Sequence, residues 1–358
     1  MGRQVEPFYG AHQSGVATAL QAHTLFVAFD LSPGVGRGDL VRLMRLWTDD
    51  AARLTQGVPA LADSEPELAE VPARLTATIG YGPGVFAIPG LERSRPAWLA
   101  PLPAFSIDRL EDRWSGGDLL LHLGSDDPVT LAHTCRMMVK DAGAFTTVRW
   151  TQSGFHRAAG STPSGTTGRN MMGQVDGTEN PAPGTSDFAR VVWASDGPAW
   201  LRGGTGMVLR RIRMDLDGWD KLGRGEREQV MGRRLANGAP LTGANETDKP
   251  DLAAVSASGL PVIPEFAHIR LAHGETPESR FLRRPFNYDD GFLPDGSPDV
   301  GLLFTAYAAD LSRQFVPIQR KLADSDVLNT WTTPVGSAVF AVPPGCRRGS
   351  YVGESLLG

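Results

Sequence analysis

The chain is poor in cysteine, with only Cys135 and Cys346 among 358 residues. They stand far apart, with neither C-x-x-C nor zinc-ligand spacing, so a disulfide framework and a thiolate metal site are both excluded. Long apolar runs are missing too. Stretches such as TLFVAFDL and GLLFTAYAA are of strand length, well short of the roughly 20 residues that a membrane-spanning helix needs. There is no basic excess, since 35 Lys and Arg stand against 40 Asp and Glu for a formal net charge of -5. No block of Lys and Arg is interleaved with aromatics, so the electrostatic footprint of a nucleic-acid binder is absent. The opening MGRQVEPFYGAHQSG lacks the charged region and apolar run of a signal peptide. It reads as the start either of a cytosolic protein or of a trimmed mature form.

What is present is enough for a folded protein with a sizeable core: 41% of the residues are hydrophobic. TLFVAFDL (24–31) and DLLLHLG (118–124) read as strands. Between them Leu40, Leu43, Met44, Trp47, Ala51 and Leu54 recur at helical spacing, with Asp39 at the start, which predicts an amphipathic helix. Pro128 to Lys140 predicts a second helix and TTVRWTQSGF a further strand. The second half repeats this grammar: GMVLRRIRMDL as a strand, Leu222 to Arg234 as a polar helix, FAHIRLAH and RFLRRPFNY as extended pieces. GLLFTAYAA follows as a strand, DLSRQFVPIQRKLA as a helix and SAVFAVP as a closing strand. The expected fold class is α+β, with helices on one face of each sheet. The divider is AAGSTPSGTTGRNMMGQVDGTENPAPGTSD, rich in Gly, Ser, Thr and Pro. Loops of this length inside a compact protein are usually functional or disordered, and we expect two halves, 1–172 and 173–358.

Within that loop, MGQVDGTENP holds Asp176 beside a glycine, which is also ordinary turn chemistry. Seven histidines are present. His268 and His273 would lie on opposite faces of an extended FAHIRLAH, which argues against a joint metal site. A single neutral imidazole can nevertheless serve as the protein ligand of haem iron. RFLRRPFNYDDG carries Arg280, Arg283 and Arg284, either as a solvated edge paired with Asp289 and Asp290 or as a fixed cation near a reactive oxygen. A carboxylate, an arginine and a histidine ligand together would suffice for peroxide activation at a haem. The carboxylate would move a proton from the iron-proximal to the distal oxygen, and the arginine would stabilise the developing charge.

With GQVDGT, AHIRLAH and FLRRPFNYDDG in this order, followed by DLSRQFVPIQRKLADSDVLNTW and GSAVFAVPPG, the chain resembles the dye-decolorizing peroxidases over nearly its whole length. EPFYGAHQSG is similar to the mature start of the exported bacterial group often called type A. The resemblance implies two ferredoxin-like halves with four-stranded antiparallel sheets, a DyP-like dimeric α/β barrel fold, and haem b in the second half. It implies that hydrogen peroxide is heterolysed to a ferryl intermediate that oxidises dyes, phenols or other one-electron donors. Asp176 matches the distal aspartate, His268 the proximal iron ligand and Arg283 the distal arginine, with Arg284 as the choice if the short motif slips by one. Asp326 is the candidate acceptor of the other imidazole N–H, against Asp310, and a helix cap is the alternative role of Asp326. Arg270 is the candidate partner of a haem propionate if it points to the same side as His268, and Leu302 and Phe304 are candidate apolar wall. Tyr288, Tyr307 and Trp331 are candidate radical sites for donors too bulky to reach a buried haem. A carboxylate base works in acid where a histidine would be protonated, so turnover is expected to be best at acidic pH.

Two further readings accompany the peroxidase: a haem deferrochelatase in iron uptake, which leaves the porphyrin intact, and a non-catalytic haem carrier. The Asp176 and Arg283 pair favours peroxide chemistry over carriage. The resemblance also implies twin-arginine export with the signal removed, cytoplasmic location being the alternative. A copper protein or ion is an open partner class, His12 and His23 forming no specific pattern, and no residue pattern sets the oligomeric state.

Overall fold

The first half alternates as its pattern requires. Its elements are β1 (His23–Leu31), α1 (Arg37–Leu54), β2 (Thr76–Tyr81), β3 (Leu119–Ser125), α2 (Pro128–Ala142) and β4 (Thr146–Phe155). The computed structural model describes residues 2–163, 165–274 and 279–358. All six expected apolar positions of α1 are buried, and the Trp47 indole donates to Met138 O in α2 at 2.7 Å. Helix α2 starts where Asp127 Oδ2 accepts from Thr130 N at 2.7 Å and Pro128 supplies the first helical φ.

The second half runs α3 (Ser186–Val192), β5 (Thr205–Met214), α4 (Leu216–Asp220), α5 (Arg224–Met231), α6 (His268–Leu271), β6 (Leu282–Arg283), β7 (Phe286–Phe292), β8 (Pro298–Ala308), α7 (Leu311–Ser325), β9 (Thr332–Val342) and α8 (Glu354–Leu357). The first sheet has the order β2-β3-β1-β4 and the second β9-β5-β8-β7, both antiparallel. Each is the split β-α-β arrangement of a ferredoxin-like unit. The two sheets join edge to edge at Tyr81↔Ala341 and Phe155↔Asn287, which closes them into a barrel and leaves no long open edge at either seam. The expected division at 172 and 173 falls inside the connection from β4 to α3.

Closure explains why the strands read as apolar on both faces. On β1, Val27 and Phe29 pack under α1 and α2, while Phe26 and Ala28 fill the barrel. On β8, Leu303 and Tyr307 fill the barrel, while Leu302 and Phe304 face outward into a separate apolar cluster. The inner face of each sheet is thus covered by the opposite sheet rather than by water. Strand β2, whose six residues are all buried, adds to the strands expected from the pattern. One expected element changes type: FAHIRLAH contains the helical turn α6, closed by Ala272 N donating to His268 O at 2.8 Å. A short apolar run does not by its pattern distinguish strand from buried helix.

Candidate active site

A cavity of about 290 Å³ lies on the outer face of the second sheet, between β5, β8 and α7. Met172, Ile212, Leu302, Phe304, Phe315 and Ile318 give it apolar walls. Leu302 and Phe304 both face it because alternate residues of β8 share a face.

His268, the first residue of α6, lines this cavity. Its Nδ1 lies 2.6 Å from Asp326 Oδ2, and Nε2 makes no hydrogen bond among the described residues. Asp326 ends α7 and is buried. It fills both roles raised by its sequence position, since Oδ2 takes the imidazole while Oδ1 accepts from Leu328 N at 2.9 Å and caps the following turn. Asp310 sits at the opposite end of the same helix and accepts from Ser312 N and Arg313 N.

Asp176 reaches the cavity from the long loop. Its N–H donates to Gly168 O at 3.0 Å, and Gly177 follows with φ +123°, a conformation only glycine adopts without strain. Arg283 Nη1 stands 3.5 Å from Asp176 Oδ1. The strand pleat separates the two arginines of RRPF: Arg283 lines the cavity, whereas Arg284 is buried and donates to Thr18 O. Asn180 fastens the loop to β6 from both sides, its Nδ2 donating to Arg283 O at 2.7 Å and its Oδ1 accepting from Arg283 N at 2.9 Å.

Arg270 does not join the site. Position 270 follows His268 on a helix, where two residues turn the side chain about 200° away rather than back to the same side. Its guanidinium donates to the carbonyls of Leu252, Ile263 and Pro264. His273, two residues past the end of α6, lines the cavity together with His268, where an extended FAHIRLAH would have set the two on opposite faces.

Other groups join or brace the site. Arg233 donates to Gly238 O and Glu246 O, and burial lowers its pKa against the opposing charge of Glu179. Arg280 also lines the cavity and pairs with Asp187 at 2.7 Å. His156, at the end of β4, braces the site from behind: its Nε2 lies 2.5 Å from Pro285 O, and its ring packs on Gly168. Burial lowers the His156 pKa, so the neutral ring donates to Pro285. Arg233 and His156 could not be found without the fold, because each approaches from a different element.

Of the three candidate radical sites, Trp331 is half-buried and meets the buried Trp219 edge to face at 5.3 Å. That pair packs in the outward cluster with Leu302 and Phe304. Tyr288 and Tyr307 are buried inside the barrel, and the Arg211 guanidinium lies 4.1 Å from the Tyr288 ring centroid. His12 stacks on Trp193 at 3.8 Å with Nδ1 at Gly203 O. Among the described residues no group of three or more His, Cys, Asp or Glu side chains gathers to hold a metal ion. No helix among them is long and apolar enough to cross a membrane.

Two ferredoxin-like sheets closed into one barrel, with a histidine and an aspartate–arginine pair on a single apolar-walled cavity, define a protein of the dimeric α/β-barrel fold with a reaction pocket on its second sheet. The family described as "Dyp-type peroxidase, N-terminal" matches residues 13–156, and "Dyp-type peroxidase, C-terminal" matches 167–347. A dye-decolorizing peroxidase of Thermobifida fusca (strain YX) is 42% identical over 361 residues, covering 97% of this chain and 84% of that protein. A deferrochelatase of Escherichia coli (strain K12) is 34% identical over 372 residues, covering 98% and 87%. The crystal structure of a DyP-type peroxidase from Cellulomonas bogoriensis superposes with a TM-score of 0.97 at 51% identity, covering 99% of each chain. The chain belongs to the dye-decolorizing peroxidases and is a haem-dependent peroxidase.

Proposed function

We propose that His268 holds the iron of haem b in this cavity and that Asp176 and Arg283 perform the proton and charge work of peroxide cleavage. The cofactor of the enzyme is haem b, and the residues fit it: an apolar-walled cavity, one imidazole with an uncommitted Nε2, and the Arg233, Arg280 and Arg283 cations. When bound, the haem supplies the redox centre. Asp326 takes the His268 Nδ1 proton's hydrogen bond, fixes the Nε2 lone pair toward the cavity and makes the imidazole a stronger donor. Leu302 and Phe304 exclude water on the wall.

Asp176 accepts the first proton of hydrogen peroxide and returns it to the departing oxygen. Arg283, 3.5 Å away, stabilises the negative charge that appears between those two transfers. That ion pair, facing the same cavity as His268, is the observation that carries the reading, because storing or carrying haem calls for no acid–base pair. A second reading follows from the deferrochelatase relatives, in which the same pocket releases iron and leaves the porphyrin intact.

The Trp331–Trp219 pair is the proposed path to donors too large for the cavity, since it joins the half-exposed surface to the residues lining it. Tyr288 is a poorer site, because the positive Arg211 over its ring opposes removal of an electron. Export by the twin-arginine route is proposed on the resemblance of EPFYGAHQSG to a mature start.

The test is the absorption spectrum of haem-reconstituted protein before and after one equivalent of hydrogen peroxide, for wild type and His268→Ala. A Soret band that depends on His268 and changes rapidly with peroxide is expected. A band indifferent to peroxide, with metal-free porphyrin appearing under reducing conditions, would favour iron removal.

A further inference from the structure

The barrel interior holds a polar chain that the site described above does not use. Tyr307 on β8, His122 on β3 and Thr24 on β1 are all buried. The Tyr307 hydroxyl lies 3.2 Å from His122 Nδ1, and His122 Nε2 lies 2.9 Å from Thr24 Oγ1. The direction of every hydrogen bond is determined, because the Thr24 hydroxyl donates to Leu123 O at 3.0 Å and so accepts from His122. His122 therefore carries its proton on Nε2 and presents a bare Nδ1 to the phenol, which donates to it.

His122 stacks on Phe26 at 4.2 Å, and Phe286 closes its edge. Burial and the nearby Arg284 push the imidazole pKa down to about 3, and burial pushes the Tyr307 phenol up to about 12. At rest the pair is neutral. An apolar barrel has little need of a tyrosine and a histidine aligned in this way, since an apolar pair of similar shape avoids the cost of burying polar groups.

We propose that Tyr307 and His122 form an internal redox site, a phenol with its own proton acceptor, that stores one oxidising equivalent away from solvent. The proposal rests on the haem-peroxidase reading for its oxidant. Tyr307 gives one electron to the peroxide-oxidised haem centre and its phenolic proton to His122 Nδ1. The O–H bond breaks and an N–H bond forms, leaving a neutral tyrosyl radical and an imidazolium. Both imidazolium N–H groups keep their partners, the Tyr307 oxygen and Thr24 Oγ1, so no buried donor is orphaned. The barrel burial and Arg284 make that imidazolium costly, so the proton returns to the phenol oxygen once an electron arrives from a donor.

Placement suits the role. Tyr307 is three residues along β8 from Phe304, about 10 Å of strand, and pairs with Leu282 next to Arg283. Phe304 and Arg283 both line the haem cavity. The site is thus one sheet thickness from the cofactor, while its buried ring gives external donors no direct contact.

Two measurements test it. In apoprotein, nitrogen-15 NMR of His122 at neutral pH is expected to show a neutral ring protonated at Nε2; an imidazolium or the Nδ1–H form would overturn the proposal. In haem-loaded protein, rapid freezing after one equivalent of peroxide without donor is expected to give a tyrosyl radical by EPR. Tyr307→Phe, which removes only a hydroxyl, should cut that signal at least tenfold. His122→Phe should lower its yield and shift its g values, with His122→Asn as the second variant if the first does not fold. A tyrosyl signal that survives Tyr307→Phe, or a peroxide-induced optical change with no tyrosyl signal, would overturn this site and leave the peroxidase reading intact. No optical change in wild type would overturn the peroxidase reading, and this proposal with it.

Discussion

His268 Nδ1 and Asp326 Oδ2 lie 2.6 Å apart although 58 residues separate them in the chain. One carboxylate thereby sets the tautomer of the ring and caps the turn after α7. Asp326→Asn keeps an oxygen for the cap and removes the charge. Haem affinity is expected to fall about 10–100-fold, and the iron midpoint potential to become more positive. Haem titration and potentiometry measure both; an unchanged potential would leave Asp326 only its capping role.

The Asp176–Arg283 pair should govern the peroxide step. Asp176→Ala and Arg283→Leu are each expected to slow the peroxide-induced spectral change by about 10²–10⁴-fold, read by stopped flow at saturating haem. With a carboxylate as the base, dye turnover should peak below neutrality. A wild-type profile that peaks above pH 7 would count against Asp176.

Asn180 does not line the cavity, yet its amide grips the Arg283 backbone twice. Asn180→Ala should loosen the spacing between Asp176 and Arg283. The expected outcome is a peroxide rate lower by about 10–100-fold with haem affinity unchanged. Equal losses in both would mean that the loop supports the whole pocket.

Trp331→Phe should separate large donors from small ones. Turnover of a bulky dye is expected to drop several-fold while oxidation of a small phenol that enters the cavity stays near wild type. Parallel loss of both activities would show that Trp331 packs the pocket rather than serving as the exit for electrons.

A pair of carboxylates on the helical layer sets a pH dependence of stability. Burial and the adjacent negative charge of Asp50 push the Asp141 pKa up to about 7, partly offset by Lys140. The folded protein therefore holds a proton that the unfolded chain releases near pH 4. Stability from this group is full below pH 4 and is lost as pH rises to about 7. Asp141→Asn is expected to raise the melting temperature at pH 8 and leave it unchanged near pH 4, with a gain of about 1 kcal/mol after solvent screening. Calorimetry at the two pH values checks the sign.

The motif order already pointed to Asp176, His268 and the RRPF arginines, because the chemistry of a peroxide site limits which residue types serve and the chain carries them in recognisable local strings. The helix α1 stripe and most strands were legible for a similar reason, as burial on one face imposes a period of 3.6 or 2. Strand β2 was not, since TATIGY is short and carries Gly80 near its end, and it becomes a strand through pairing with β3 and β9.

What the amino-acid sequence determined alone was the family, the two-fold α+β grammar and the residue types of the site. Tertiary structure decided which atoms meet. Alternation from β6 into Arg284 sends Arg283 to the cavity and Arg284 inward, while helical rather than extended geometry after Ala267 turns Arg270 away. Closure of the two sheets brings Tyr307 to His122, and the end of α7 brings Asp326 to His268. Local pattern constrains one element at a time, whereas side-chain direction across elements depends on strand register, helix phase and closure, which only packing sets.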